Sequence, residues 1–155
     1  MKVYLKKYLI ALIDRILYAK RTAYYNSLRT QYQIHKEFKF NGAKIIFHGE
    51  GKISTGKNSY IGENSYIQSV IGESVEIGEN CAISHNVRIY TLSYVADQDF
   101  NNENRLTYQK SVKIGNGVWI GANVLINPGV TIGDNSVVGA NSVVTKDIEP
   151  HTING

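Results

Sequence analysis

The residue types best suited to proton transfer near neutral pH are the four histidines of this 155-residue chain. A neutral imidazole is abundant at pH 7 and can accept a proton from a hydroxyl group. His35, His48 and His151 lie outside the regular part of the sequence, whereas His85 lies inside it. We therefore expect His85 to act as a general base, the alternative being a solvent-exposed histidine without a catalytic role.

The remaining reactive side chains add little chemistry of their own. Asp97 and Asp99 follow His85 closely enough in sequence to orient its imidazole, or they are simply solvated acids. Cys81 is the single cysteine, which excludes an internal disulfide and a multi-cysteine metal site and fits a reducing compartment. A zinc site needs several histidines on neighbouring elements, and the regular part offers only His85. We therefore expect no metal, and we expect Cys81 to be a core residue.

The element that positions His85 is a repeat of six residues. Downstream of Ile61, an aliphatic residue recurs at this interval in two runs, which begin at Ile71 and Ile114: Ile71, Ile77, Ile83, Ile89, then Ile114, Ile120, Ile126, Ile132, Val138, Val144. A second small or apolar residue follows four positions later: Val75, Cys81, Val87, Val118, Val124, Val130, Ser136, Ser142. A six-residue period fits a short strand plus a turn, with the aliphatic residue pointing inward.

The turn positions support the same interpretation. Three residues after the aliphatic position stand residues that accept a positive φ or form a tight turn: Ser74, Asn80, Asn86, Gly117, Asn123, Gly129, Asn135, Asn141, Asp147. The sequence thus predicts an all-β fold, a parallel β-helix of hexapeptide repeats over residues 41–155.

Residues 1–40 differ from this pattern and form a separate amino-terminal segment. Apolar residues between Val3 and Leu17 recur at helical spacing with basic residues between them, which predicts one or two amphipathic helices over residues 2–30. Residues 1–36 carry eight basic side chains and one acidic side chain, Asp14. We expect this segment to cap the open end of the β-helix, to bind an anionic membrane surface, or both. Nucleic-acid binding is disfavoured because no recognised motif accompanies the charge.

The apolar stretches are too short for a membrane span, which needs about twenty apolar residues. A cleaved secretory signal is also disfavoured, because Asp14 and Arg15 interrupt the apolar stretch and no small-residue cleavage site follows. We therefore expect a cytoplasmic protein, with peripheral contact at the inner face of the membrane as an additional possibility.

Residues 92–110 interrupt the repeat and are rich in Asp, Asn and Tyr. A polar interruption of this length inside a solenoid is normally extruded on one face. We expect an extruded loop that contributes to function, the alternative being a solvated insertion.

Three stretches of the second run carry a resemblance to a known family: Val-Trp-Ile-Gly-Ala-Asn at 118–123, Ile-Asn-Pro-Gly-Val-Thr-Ile-Gly at 126–133 and Gly-Ala-Asn-Ser-Val-Val-Thr-Lys-Asp at 139–147. They resemble the hexapeptide-repeat acyltransferases, in the branch of maltose and galactoside O-acetyltransferases. The resemblance covers roughly residues 45–149. It implies a left-handed, three-sided β-helix with two complete coils in 114–149, one in 71–88 and imperfect coils in 44–70.

The resemblance implies acetyl transfer from coenzyme A to a sugar or surface-polysaccharide hydroxyl, but the catalytic position differs. In that branch the catalytic histidine lies five residues after the aliphatic residue aligned with Ile89, and Tyr94 stands there. A phenol with a pKa of about 10 is only ~0.1% ionised at pH 7 and cannot simply replace imidazole. Either His85 takes over, or the loop is shifted in register, or catalysis is impaired. We favour His85, with Tyr94 donating a hydrogen bond to the acceptor or the oxyanion.

The acetyl-CoA site matches the family better. By resemblance Trp119, Ala122, Ala140, Thr145 and Lys146 occupy positions that line the pantetheine arm or the adenine end. Small residues, Gly121 among them, let a narrow thioester arm lie along the edge of the coil, and Lys146 supplies a cation for a phosphate. The alternative for Ala122 and Ala140 is that small residues are simply required for steric reasons at a corner of the coil. The alternative for Lys146 is a solvated lysine without a ligand.

The family implies a homotrimer with active sites between subunits, and the hexads favour one independently. Residues preceding the inward aliphatic should point outward, and positions eighteen apart should share a face. Trp119 would then stack with Val137, and Leu125 with Val143, giving two apolar faces suited to a threefold interface.

A second function class stays open: a β-helical scaffold or paralogue that is catalytically impaired or non-catalytic. It is motivated by Tyr94 and by the end of the sequence at Gly155, where the family continues with a Gly-x-Pro-Ala-type segment and a short closing helix. A shorter end would leave the last coil less covered and weaken the coenzyme end of the site.

Overall fold

The computed structural model describes residues 2–155, with side chains described from residue 6 onward. The chain divides into two compact units, one ending at Gln31 and the other beginning at Tyr32. In chain order the elements are α1 (Lys2–Gln31), β1 (Gln33–Ile34), β2 (Lys39–Asn41), β3 (Ile46–His48), β4 (Lys52–Thr55), β5 (Tyr60–Gly62), β6 (Tyr66–Gln68), β7 (Ser74–Ile77), β8 (Ala82–Ile83), β9 (Arg88–Tyr90), β10 (Leu92–Tyr94), β11 (Thr107–Gln109), β12 (Val112–Ile114), β13 (Trp119–Ile120), β14 (Leu125–Ile126), β15 (Thr131–Ile132), β16 (Val137–Val138), β17 (Val143–Val144) and β18 (Ile153–Asn154).

The first unit is one continuous helix of 30 residues, α1. Its sequence contains neither glycine nor proline, the residues that most often break a helix. The helix ends at Gln31, so residues up to 40, which the sequence pattern assigns to the amino-terminal segment, already contribute β1 and β2. Within the described residues, no helix is both long and apolar enough to span a bilayer.

The second unit is a parallel β-helix with three faces, which confirms the predicted fold class. The first face contains β1, β4, β7, β12 and β15; the second β2, β5, β8, β13, β16 and β18; the third β3, β6, β9, β14 and β17. Consecutive strands of the solenoid occupy successive faces, and each pairs in parallel with the strand one coil away. Inward aliphatic residues thus stack from coil to coil and form the core.

The interior follows the hexad closely. Ile83, Ile120 and Val138 lie one above another in the second face and are all buried. The predicted turn residues also behave as expected, because seven of them adopt a positive φ: Asn80, Asn86, Gly117, Asn123, Gly129, Asn135 and Asn141. Asparagine and glycine tolerate this left-handed conformation, which costs other residues about 1–2 kcal/mol.

The predicted coil boundaries are wrong before the hairpin. Before the hairpin, the paired residues Asn64 and Asn86 are 22 apart, whereas after the hairpin Asn123 and Asn141 are 18 apart. The extra residues lie in longer turns between the third and first faces, including 69–73. Ile71, predicted to point inward, belongs to this longer turn and is 72% exposed. Counting in sixes fails here because the turn adds residues without adding a strand.

The first coil begins at Gln33, earlier than the sequence pattern indicates, and aromatic side chains fill it. The rings of Phe40 and Phe47 lie 5.5 Å apart, and Phe38 contacts both of them. The Tyr32 hydroxyl donates a 2.8 Å hydrogen bond to the carbonyl of Gly49. Because these residues are aromatic and not aliphatic, the hexad count did not detect this coil.

The outer surfaces of the three faces differ in polarity. Trp119 pairs with Val137 on the second face, and Leu125 pairs with Val143 on the third, which confirms the predicted stacking. Trp119 is 55% exposed and Val143 is 59% exposed. On the first face the corresponding outward residues are polar: Ser54, Glu76, Lys113, Thr131.

Candidate active site

His85 lies in the turn between β8 and β9, where the second face meets the third, and its side chain is exposed. Backbone bonds place it in line with the two alanines predicted to line the thioester site. The amide of Asn123 donates to the carbonyl of His85 at 3.2 Å, and the amide of Asn141 donates to that of Ala122 at 2.8 Å. His85, Ala122 and Ala140 therefore occupy equivalent positions in successive coils.

We call the turns between the second and third faces the asparagine corner, after Asn64, Asn86, Asn123 and Asn141. All four adopt a φ between 57° and 65°. Their side-chain amides form a ladder in which each donates to the next oxygen, at 3.1, 2.8 and 2.8 Å. The ladder fixes the path of the backbone at this corner. Because His85 immediately precedes Asn86, the ladder also fixes the position of the His85 backbone.

Small residues beside the ladder bring neighbouring coils close together. A Cβ on buried Gly121 would lie 2.6 Å from the amide nitrogen of Ala140, so only glycine fits there. Ala122 is half-buried and Ala140 is exposed. Beyond His85 the asparagine corner thus presents short side chains toward the carboxyl-terminal end, which suits a narrow extended ligand.

Trp119 is the bulky neighbour of this surface. It points outward from β13 on the second face, and the chain continues directly from this strand into Gly121 and Ala122 at the asparagine corner. The predicted acetyl-CoA residues Trp119, Gly121, Ala122 and Ala140 are therefore contiguous along one edge of the solenoid.

Thr145 and Lys146 lie elsewhere. They follow β17 in the last turn between the third and first faces, at the end of the solenoid. Both are exposed and line an open cavity of about 400 Å³ that also includes Asn154 and Gly155. In a single chain, the third face separates them from Ala122 and Ala140.

The predicted extrusion at 92–110 is an antiparallel hairpin, β10 paired with β11, with Tyr94 opposite Thr107 at its end. Tyr94 is 52% exposed, and its ring lies 6.1 Å from that of Phe100 in an edge-on arrangement. Gln98 closes the loop: its side-chain nitrogen donates to the carbonyl of Leu106 at 2.8 Å. We call the turns between the third and first faces, including this hairpin, the hairpin corner.

An open cleft of about 420 Å³ lies between the base of the hairpin and the third face. Its lining combines aromatic and aliphatic groups with side-chain amides and hydroxyls: Gln68, Tyr90, Leu92, Ser93, Tyr94, Thr107, Leu125, Asn127, Pro128. This mixture suits a ligand that has both apolar surface and hydroxyl groups, since the amides can donate and accept hydrogen bonds.

The structure does not bring His85 and Tyr94 together within one chain. His85 lies before β9 and Tyr94 after it, at opposite edges of the third face. Asp99 does not orient His85 either, because its carboxylate accepts hydrogen bonds from the backbone and side chain of Asn101. Asp97 is exposed in the hairpin loop. A site that uses both His85 and Tyr94 therefore needs a second chain.

Sequence reasoning missed three residues of the cleft: Gln68, Tyr90 and Asn127. Each directly follows an inward aliphatic residue, and Gln68 pairs with Tyr90 in adjacent strands. A search for outward side chains at the position directly after each inward aliphatic residue would have identified them. The Tyr90 ring lies 5.7 Å from that of Tyr66. Burial, and to a smaller extent the nearby Tyr90, raises the pKa of Tyr66, so this phenol stays neutral at physiological pH.

Cys81 is buried, as predicted, and its thiol lies 3.0 Å from the carbonyl oxygen of Gly115. Burial raises the pKa of the Cys81 thiol, which keeps it protonated and unreactive. Among the residues that the structure describes, no three or more His, Cys, Asp or Glu side chains are grouped to hold a metal ion.

Two family descriptions match the β-helix, one on each side of the hairpin. "Bacterial transferase hexapeptide (six repeats)" matches residues 111–146, and "Hexapeptide repeat of succinyl-transferase" matches residues 52–91. No curated protein sequence matches the chain significantly.

Solved structures give closer matches. A galactoside acetyltransferase in complex with coenzyme A is 38% identical, with a TM-score of 0.61, over 76% of this chain and 61% of its own. This chain thus spans about three fifths of that protein. A maltose O-acetyltransferase of Clostridium difficile is 36% identical, with a TM-score of 0.59, over 83% of this chain and 67% of its own.

A third structure extends the match along the chain. A hexapeptide-repeat-containing acetyltransferase of Vibrio cholerae, complexed with acetyl coenzyme A, is 32% identical with a TM-score of 0.67. The match covers 84% of this chain and 70% of the Vibrio protein. This extent of identity, together with the hexapeptide repeat on both sides of the hairpin, shows that the chain belongs to the hexapeptide-repeat acetyltransferases.

Proposed function

We propose that the protein is an acetyl-CoA-dependent O-acetyltransferase whose acceptor is a hydroxyl of a sugar or surface polysaccharide. The observation that carries the proposal is the alignment of His85 with Ala122 and Ala140 along the asparagine corner. This alignment supports a proton acceptor at one end of a row of short side chains along which a thioester arm could lie. Related structures contain coenzyme A or acetyl coenzyme A, which supports the same donor.

His85 would act as the general base. Its neutral imidazole accepts the proton of the acceptor hydroxyl as the oxygen attacks the thioester carbonyl. The carbonyl carbon passes through a tetrahedral intermediate, the carbon–sulfur bond breaks, and the acetyl group is left on the acceptor oxygen. The proton held by His85 is then available to the departing thiolate, so the products are an acetyl ester and coenzyme A thiol.

Tyr94 would act as a hydrogen-bond donor and not as a base. Its phenol hydroxyl can donate to the acceptor or to the oxyanion of the intermediate. Because His85 and Tyr94 lie at opposite edges of the third face, we place Tyr94 of one subunit opposite His85 of the next. Loss of the phenol should therefore reduce the rate less than loss of the imidazole.

The donor site would use Trp119, Gly121, Ala122 and Ala140 along the pantetheine arm. Lys146 would pair with a phosphate of coenzyme A, with Thr145 beside it. Because the third face separates Lys146 from the alanines in one chain, the complete site would again draw on two subunits. Use of acetyl-CoA as donor would place the reaction in the cytoplasm.

We further propose a homotrimer. The second and third faces present the outward apolar pairs Trp119–Val137 and Leu125–Val143, whereas the outward residues of the first face are polar. Trp119 and Val143 are exposed, and Val137 and Leu125 are half-buried. Contiguous apolar surface of this kind usually marks an interface, and a three-sided solenoid can bury two faces around a threefold axis. Sedimentation velocity at micromolar concentration tests this, and a monomer would contradict both the trimer and an intersubunit site.

The competing function is a β-helical scaffold without turnover, which Tyr94 at the family's histidine position favours. Two measurements distinguish the functions: binding of acetyl-CoA by calorimetry, and thiol release from acetyl-CoA with a panel of sugars and oligosaccharides. The proposal predicts saturable binding and acceptor-dependent thiol release. Absence of binding, or binding without release for any acceptor of the panel, would support the scaffold instead.

A further inference from the structure

The amino-terminal half of α1 carries an apolar stripe that is open to solvent. Its five residues follow the spacing of one helical face, and each side chain is between 46% and 58% exposed: Leu9, Leu12, Ile13, Ile16, Leu17. Nine consecutive residues of α-helix rise about 13 Å, so the stripe is far shorter than a bilayer is thick. This stripe is a surface without a partner in the described structure.

Basic side chains surround the stripe on every side. Lys6 and Lys20 lie on the same helical face, at its two ends, while Lys7, Arg15 and Arg21 lie around the helix from it. The only acidic residue of α1 is Asp14, and the first turn contains none. Lysines at the ends of an apolar stripe can extend their charged groups away from it while their alkyl chains stay with it.

This charge distribution argues against a second copy of α1 as the partner of the stripe. Two such helices packed along their stripes would bring Lys6 and Lys20 of each chain into the same apolar interface. With Asp14 as the only acid in α1, most of these ammonium groups would have no carboxylate within the pair. Burial of unpaired charge at an interface is costly.

A surface of anionic lipid matches both features of α1. Its acyl-chain boundary accepts the apolar side chains, and its phosphates accept the lysine and arginine groups, including those near the positive end of the helix dipole. A short apolar stripe binds lipid weakly alone, and a basic cluster supplies the second contribution that stable binding requires.

We propose that α1 is a peripheral membrane anchor, which lies in the plane of an anionic leaflet with the stripe of Leu9, Leu12, Ile13, Ile16 and Leu17 against the acyl chains. The anchor does not depend on the proposed enzymatic activity. It would hold the β-helix, and any acceptor site on it, at the membrane surface. Each basic residue near the surface should contribute roughly a fivefold factor in binding.

The test is co-sedimentation of the full-length protein with vesicles of phosphatidylcholine alone and of phosphatidylcholine with phosphatidylglycerol. We expect binding to the anionic vesicles that falls as sodium chloride is raised, because salt screens surface charge. Binding to neither vesicle, or equal binding to both, would overturn the proposal.

Two triple substitutions with the same change in net charge serve as a matched pair. Lys6→Glu, Lys7→Glu and Arg15→Glu in α1 should weaken binding to anionic vesicles at least about a hundredfold. Lys39→Glu, Lys52→Glu and Lys113→Glu place the same charge change on exposed strand residues of the β-helix and should have a much smaller effect. Equal losses in the two variants would show attraction by net charge alone, which would overturn the assignment to α1.

The apolar part of the anchor has its own test. Leu9→Ser with Ile16→Ser should lower binding to anionic vesicles at least tenfold while leaving the oligomeric state unchanged by sedimentation velocity. If instead this variant dissociates the protein and vesicle binding is retained, the stripe is an interface between copies and the anchor is overturned.

Discussion

The asparagine corner and the hairpin corner border the same face of the solenoid and are built differently. At the asparagine corner, Asn64, Asn86, Asn123 and Asn141 repeat one residue type and nearly one value of φ. At the hairpin corner, the turns 49–51, 69–73, 91–111 and 127–130 all differ in length. A ladder in which each residue bonds to the next tolerates no insertion, whereas a turn outside the ladder can be extended without disturbing the strands.

The difference shows how the proposed chemistry would be divided. The regular corner holds His85 in a fixed position relative to the surface for the thioester arm, and the variable corner provides the hairpin with Tyr94 and the open cleft. Catalysis depends on placing reacting groups accurately, whereas recognition of different acceptors benefits from variable loops. Since the two corners lie on opposite edges of one face, both can serve one active site only through a neighbouring subunit.

The largest effect is expected from His85→Ala. Removing a general base typically reduces turnover by 10²–10⁴-fold, and the proposed acetyl-CoA surface at Gly121 and Ala140 should be unaffected. Steady-state thiol release measures the rate, and calorimetry with acetyl-CoA confirms that binding persists. His48→Ala is the matched control, since it removes an exposed histidine on the third face outside the asparagine corner.

One combination of results would contradict this prediction. If His85→Ala keeps near-normal turnover while Tyr94→Phe loses it, the base has been assigned to the wrong corner. The expected pattern is a smaller loss in Tyr94→Phe than in His85→Ala, because a hydrogen-bond donor is lost and no proton acceptor is removed.

The division between corners can be tested by complementation. A truncated hairpin, in which residues 93–108 are replaced by Asn-Gly, removes Tyr94 and the hairpin side of the cleft, and the register still places Leu92 opposite Gln109. His85→Ala removes the base, and each variant should have little activity alone. Random trimers of the two, coexpressed with different affinity tags, should recover about a quarter of wild-type activity. This follows if each site takes its asparagine corner from one subunit and its hairpin from the next. No recovery in purified mixed trimers would contradict the shared site.

Much of the β-helix could be predicted because burial imposes a strict period on the inward residues. Ile83 and Ile120 lie in adjacent coils, and each belongs to a run with the six-residue period, although the hairpin interrupts the count between the two runs. The positive φ values were equally predictable, since few residues other than asparagine and glycine tolerate them. The predicted register is wrong at Ile71 because this residue lies in an exposed turn. No packing requirement fixes the length of such a turn.

The candidate site was less accessible to sequence reasoning. The link between His85 and the alanines depends on a 37-residue offset at the asparagine corner, seen in the bond from Asn86 to Asn123, which cannot be counted in hexads. The cleft beside Tyr90 requires knowledge of where the hairpin folds back. A site completed by a second chain lies outside what the spacing of one sequence can specify.

An intermediate effect is expected when the ladder is interrupted. Asn123→Ala places alanine at a φ of 60° and removes two side-chain amide bonds, each 2.8 Å long. The combined cost should be about 2–3 kcal/mol of unfolding free energy, measured by urea denaturation at fixed protein concentration. Asn123→Gly keeps the conformation and loses only the bonds, so it should cost less. Equal losses in the two variants would mean that backbone strain contributes nothing.

The smallest effect is expected at the hairpin corner. The test is a milder shortening, in which residues 95–106 are replaced by Asn-Gly and Tyr94 is kept. Because the register places Tyr94 opposite Thr107, this turn can connect them directly with the tight geometry that suits a two-residue hairpin. Residues 99–106 are exposed, and the shortened variant loses mainly the loop bonds of Gln98 and Asp99 while gaining a shorter closure. Its unfolding free energy should therefore change by less than about 1 kcal/mol, with Asn123→Ala as the comparison in the same urea titration. A loss as large as that of Asn123→Ala would mean that the hairpin supports the solenoid, and the contrast between a structural corner and a variable corner would no longer hold.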